Sequence, residues 1–143
     1  MTLLVPIQRA LMDAVEALLD IEPDVKFPGV PYQPVAGRRW LDASVPARGR
    51  QPTGIGADSA HEWRGTLQLV VKHPDAEGEF EALRRAEAIA KRLPRGKTLV
   101  SGPAKVVLWA VDIPPSYASA DFISTPVVVS WAAWEIPDGA TPQ

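Results

Sequence analysis

The stretch Glu62-Trp63-Arg64-Gly65-Thr66-Leu67-Gln68-Leu69-Val70-Val71-Lys72 reads as one β-strand. Trp63, Leu67, Leu69 and Val71 point one way; Glu62, Arg64, Thr66, Gln68 and Lys72 point the other, and only Val70 breaks the pattern. A slip of one residue would carry the charges into the core, so the alternation itself fixes which face is buried.

Outward from this strand, His73-Pro74-Asp75 leads into a helix expected from about Ala76 to Leu93. Phe80, Leu83, Ala86, Ala90 and Leu93 line its apolar face; Glu81, Arg84, Arg85, Glu87, Lys91 and Arg92 line the rest. Asp75 is the expected N-cap, Glu77 and Glu79 suit the first turn, Lys91 and Arg92 the last, and Pro94 with Gly96 stops it. On the other side, Arg38 to Ala47 alternates and predicts a second strand. Residues 48–60 hold three glycines and a proline with hardly a large apolar group, which predicts a long flexible loop. Further upstream, Pro23, Pro28, Pro31 and Pro34 make residues 23–37 a stiff connector packed through Phe27, Val30 and Tyr32. Ahead of it, Ile7, Leu11, Ala14, Val15, Leu18 and Leu19 recur with helical period over Ile7–Ile21, between Pro6 and Pro23.

Downstream, Ala104–Asp112 and Phe122–Ile136 read as strands apolar on both faces, joined by a turn region at Ile113–Ala118 and followed by a frayed tail from Pro137. The order helix, strand, strand, helix, strand, strand implies an α+β fold. The expected architecture is a four-stranded, mostly antiparallel sheet with two helices packed on one face, in a single domain over residues 1–143. Two helices cover one side only, and Trp109, Trp131 and Trp134 in the last strands need cover too. An uncovered apolar face of this kind marks a partner surface, where aromatic side chains concentrate. The expected oligomer interface is Trp109, Val111, Trp131 and Trp134.

Composition narrows the chemistry. With 143 residues, 46% hydrophobic and 22% charged, the chain is neither disordered nor large enough for two cores. Fifteen Lys and Arg against 17 Asp and Glu leave a net charge of −2, which provides no general footprint for nucleic acid. The absence of cysteine excludes disulfides, thiolate metal sites and cysteine nucleophiles. No apolar run is long enough to span a membrane, and the first residues lack a basic signal-peptide start, so a soluble intracellular protein is expected.

Apparent motifs dissolve on inspection. Arg95-Gly96-Lys97-Thr98 ends like a phosphate loop, but position 91 is Lys91 rather than glycine, and the segment leaves a helix where that motif enters one. Gly54-Ile55-Gly56 lacks the third glycine of a dinucleotide fingerprint, Ser59 standing in its place. His61 and His73 sit at opposite ends of one strand, about 40 Å apart at ~3.3 Å per residue, and share neither metal nor proton path. Ser59 and His61 have no third group to complete a triad, and the carboxylates near Asp75 are explained by helix capping. No catalytic, cofactor or metal site is expected. Arg38, Arg39, Arg48 and Arg50 are a local basic cluster suited to an acidic protein surface.

The run Gly65-Thr66-Leu67-Gln68-Leu69-Val70-Val71-Lys72-His73-Pro74, followed by Glu77-Gly78 and a helix with Ala82, Ala86, Ile89 and Ala90, resembles the tail terminator proteins of long-tailed phages. Their strand pattern G-x-L-Q-[hydrophobic]-x-V-x-x-P matches here, and the preceding strand, Y/W-L-x-x-x-V, is matched by Trp40-Leu41-Asp42-Ala43-Ser44-Val45. One departure is Leu93 before Pro94, where the family pattern carries an aromatic residue. The resemblance spans roughly residues 7–136 and implies a non-enzymatic virion assembly protein, made in the host cytoplasm and carried in the virion tail. It implies a ring, usually a hexamer, that binds the last ring of tail tube protein, stops polymerisation and presents a surface to head-completion proteins. Arg48, Arg50, Gln51, Thr53 and Ile55 would then form the tube-contacting loop. Two other readings stand beside it: another head–tail joining protein, such as a stopper, or a small α+β ligand-binding module or enzyme.

Overall fold

A computed structural model describes residues 3–52, 61–74, 78–119 and 121–135. Along the chain run α1 (Leu4–Glu16), β1 (Val25–Lys26), β2 (Trp40–Pro52), β3 (His61–Pro74), α2 (Glu79–Arg92), β4 (Thr98–Ser101), β5 (Ala104–Asp112), β6 (Tyr117–Ser119) and β7 (Phe122–Glu135). These strands form one seven-stranded sheet in the order β1-β2-β3-β7-β5-β4, with β6 also paired to β7. All pairings are antiparallel except β1 with β2, and the sheet curls into a half-barrel.

The expected α+β fold with a four-stranded sheet is therefore corrected to a mostly β fold, a seven-stranded mixed sheet with two helices. The three additional strands have two to four residues each, too few for a period of two to show, and lie among Pro23, Pro28, Pro103 and Pro115. Val25 and Lys26 run parallel to Leu41 and Asp42, inside the segment read as a connector. Tyr117–Ser119 pairs with the start of β7, where β5 no longer reaches.

A second correction concerns residues 48–60. β2 continues into them as far as Pro52, and Arg48 to Pro52 pair with Gly65 to His61. This far half of the β2–β3 hairpin, the arm, is backed by β7 as far as Trp63 and runs past it only at Glu62 and His61. A bulge between Ser44 and Ala47 shifts the register there, so the arm carries no clean alternation to read. Residues 53–60, including Thr53 and Ile55, lie outside the described residues.

The helices cover one sheet face, α1 over β4 and β5, α2 over β3 and β7. Between them lies the core: Ile7, Leu11, Val15 and Leu18 from the α1 side, Ala86, Ile89 and Leu93 from the α2 side, and the inward residues Leu67, Leu69, Val127, Val129 and Trp131. α1 stops at Glu16 instead of Ile21. Tight turns carry the chain on, with the amides of Leu18 and Ile21 donating to the Val15 and Leu18 carbonyls. α2 begins after Gly78, which takes φ 83°, a conformation glycine adopts freely, so the N-cap is Gly78. Asp75, the expected cap, is outside the described residues.

The phase of α2 differs from the expected one. Ala82, Ala86 and Ile89 are its buried face, with Leu93 continuing it, while Phe80 is 74% exposed. Small alanines let the helix lie close to β3 and β7; a turned helix burying Phe80 would stand off from the sheet.

Candidate functional site

The far face of the sheet, away from the helices, is where the sequence places its partner surface. The structure divides it into two halves. In one, the proline-rich connector folds back over the sheet: Tyr32 stacks on Trp40 at 5.0 Å, and Phe122 meets the same indole edge-on at 6.4 Å. Trp40 is left only 8% exposed. Lys72 lies between Trp40 and Tyr117, its Nζ 5.8 Å from each ring, and donates a hydrogen bond to Ser124 Oγ at 2.8 Å. Burial pushes its ammonium below the ordinary lysine value, against the pull of Asp42 and with added repulsion from Lys26.

The other half is bare. A trough of about 310 Å³ is lined by Glu62, Arg64, Val107, Trp109, Ala132 and Trp134. Trp109 is the extra residue of a bulge between Leu108 and Ala110, which thrusts its indole outward, 47% exposed. Arg64 and Glu62 pair across one wall at 3.1 Å. Of the four expected interface residues, Trp109 and Trp134 line this trough. Trp131 faces the helices and is fully buried, and Val111 packs half-buried against the core. Val107, Ala132 and the Glu62–Arg64 pair were not expected there; the parity of Val107 with Lys105 and of Ala132 with Trp134 is the signal that finds them.

A second surface is the β2–β3 arm. Arg48 and Arg50 are exposed on it, and the Arg50 guanidinium lies 5.9 Å from the Trp63 ring. Arg48 also closes one side of a groove of about 620 Å³ that runs along Val5, Arg9 and Asp13 of α1. Gln51 belongs to the β2 backbone opposite Glu62.

Among the described residues no three His, Cys, Asp or Glu side chains are placed to hold a metal ion, and no helix is long and apolar enough to cross a membrane. His61 and His73 lie at the two ends of β3. The Gly96 amide, in the segment resembling a phosphate loop, donates to the Leu108 carbonyl at 2.6 Å and so closes the turn into β4.

Comparison with known proteins agrees with the geometry. One solved structure superposes with a TM-score of 0.72 over 94% of both chains, at 18% sequence identity. A chain from the virion of a native gene transfer agent (GTA) particle superposes at 0.60, over 94% of this chain and 98% of that one, at 17% identity. At such identities these likenesses speak to the fold. No curated protein matches the sequence. A family model described as phage tail terminator protein matches residues 6–131, almost the whole of the sheet and both helices. The chain belongs to the phage tail terminator family, a family of virion structural proteins.

Proposed function

We propose that this protein caps the phage tail tube as an oligomeric ring, a hexamer, which stops tube polymerisation and forms the interface to the head. The observation that carries this reading, beside the family, is the bare half of the far sheet face. A structural protein that leaves Trp109 and Trp134 in an open trough has an apolar surface to bury against a neighbour, and neighbours joined through unlike patches make a ring when the rotation between them closes. The exposed Arg48 and Arg50, with Gln51 and with Thr53 and Ile55 that follow in the sequence, are then the residues that meet the tube. Positive charge there sets the approach and register against an acidic rim more than it sets affinity. Assembly takes place in the host cytoplasm and the product is carried in the virion tail. No catalytic step, cofactor, membrane or nucleic acid sequence enters this function.

The test uses tail tube protein from the same particle. Tubes growing in vitro should stop lengthening when this protein is added, and negative-stain images should show a ring at one tip. Tubes that grow on unchanged, with the protein found only at the head vertex, would replace the terminator reading with that of a stopper.

A further inference from the structure

Two apolar features lie on opposite sides of the molecule. One is the trough on the far sheet face. The other is the outer stripe of α2, which the helix phase turns away from the core: Phe80, 74% exposed, and Leu83, 36% exposed. At 100° per residue, Phe80 points almost directly away from the buried Ala82, hence away from the sheet that separates it from the trough. Nothing in the core requires a phenylalanine at that position, and α2 packs through small residues instead.

The two features also match in charge. Beside Phe80, Arg84 pairs with Glu81 at 3.1 Å and holds its guanidinium 5.4 Å from the Phe80 ring. Beside the trough, Arg64 pairs with Glu62 at the same 3.1 Å. Each patch therefore offers an aromatic group with one charge of either sign at its rim. A strongly acidic or basic partner would leave one charge of each pair opposed, whereas another patch of the same composition satisfies both.

We infer that the trough receives α2 of a second copy of this chain, with Phe80 seated between Trp109 and Trp134 and the rim pairs exchanged, Arg84 opposite Glu62 and Glu81 opposite Arg64. Because the patches differ, the contact is head-to-tail, and a growing chain of subunits keeps one free patch of each kind, at its two ends, until it closes. This inference rests on the ring reading and identifies the joint that makes the ring. Aromatic anchors surrounded by rim charges carry most of the binding in such joints.

The chain has no cysteine, so introduced thiols report only the designed contact. In the full-length double variant Glu62→Cys and Arg84→Cys, mild oxidation or a short bismaleimide should give a ladder of covalent oligomers, free in solution or on capped tubes. Either single variant should give at most a dimer. Phe80→Ala or Trp109→Ala should weaken self-association about tenfold or more in sedimentation, with the thermal melt of the monomer unchanged. Oligomers in sedimentation without the ladder, or full association of the Phe80→Ala variant, overturn this joint and leave the ring standing. A protein that stays monomeric at millimolar concentration, alone and with tail tubes, overturns both.

Discussion

Arg85 of α2 reaches the fully buried carboxylate of Glu22, just past the turns that follow α1, and donates a further hydrogen bond to the Ile21 carbonyl at 3.0 Å. A second arginine on the same helix, Arg92, pairs with Asp20 and reaches the Ala17 carbonyl at 3.3 Å. The irregular turns after α1 are thus held by α2 through two guanidinium groups, one pair dry and one wet. The dry pair is the one whose rupture is costly. Arg85→Ala leaves the Glu22 charge buried without its partner, and urea unfolding should show a loss of about 3 kcal/mol or more. Glu22→Leu with Arg85→Met removes both charges together and should recover most of that loss. The exposed Asp20–Arg92 pair should be far less sensitive, and Asp20→Asn should leave the unfolding midpoint close to that of the parent.

Gly65 and Trp131 define the close approach at the base of the arm. A Cβ at Gly65 would stand 2.2 Å from the Ala47 carbonyl oxygen and 2.6 Å from Cζ2 of Trp131. The first contact is with backbone, and the second is with a fully buried indole, so neither can yield cheaply. Gly65→Ala should therefore destabilise the fold by about 1–3 kcal/mol, as overpacking does. A further Trp131→Phe substitution relieves only the ring contact, so it should leave part of the loss in place in equilibrium denaturation.

Much of this architecture was legible where a segment was long enough to repeat its pattern. The alternation around Leu67, Leu69 and Val71 placed β3 and its buried face, and Ala104–Asp112 was read to the residue. Val25–Lys26, Thr98–Ser101 and Tyr117–Ser119 are shorter than any repeat, and their pairing depends on partners distant in the chain. The α2 face failed for a different reason: Phe80 fits an apolar stripe with Leu83 and Ala86, but close packing favoured the alanine stripe one step around the helix. At the far face, Trp131 and Trp134 are three residues apart and so on opposite sides of β7, which parity alone distinguishes. Trp109 and Val111 share a parity and would share a face, yet the bulge after Leu108 separates them, and nothing local in the sequence announces a bulge.

The Lys72 position gives a prediction in pH. Its ammonium lies below the usual value of 10.5 because folding strips water from it. Between that lowered value and 10.5 the unfolded chain holds more protons than the folded one, so stability rises with pH through this window. Tyr32, stacked on Trp40, has the opposite sign. Burial and Asp24 raise its phenol above 10.0, so the folded chain keeps that proton longer and stability falls as the pH climbs past 10. Urea midpoints measured upward from pH 7 should thus rise and then turn over. In Lys72→Met the rising limb should vanish and the fall past pH 10 should remain, while in Tyr32→Phe the rise should persist with less of a turnover.

Reversing the charge of the arm separates tube capping from folding. Arg48 and Arg50 are exposed, and neither forms an ion pair among the described residues, so Arg48→Glu with Arg50→Glu removes no buried contact beyond the Arg50–Trp63 cation–π approach. The melting temperature should stay within the range of ordinary surface substitutions, roughly ±0.5 kcal/mol in stability. Ring formation should also survive, because the trough and the outer stripe of α2 are untouched. Tube capping should instead be lost, since like charges placed against an acidic rim oppose both approach and register. In the parent, raising salt from 50 to 500 mM should slow capping in the same direction, the Debye length falling well below 10 Å. A variant that caps tubes at the parental rate in low salt would show that the arm does not meet the tube, and would move that contact to the α1 groove which Arg48 only borders.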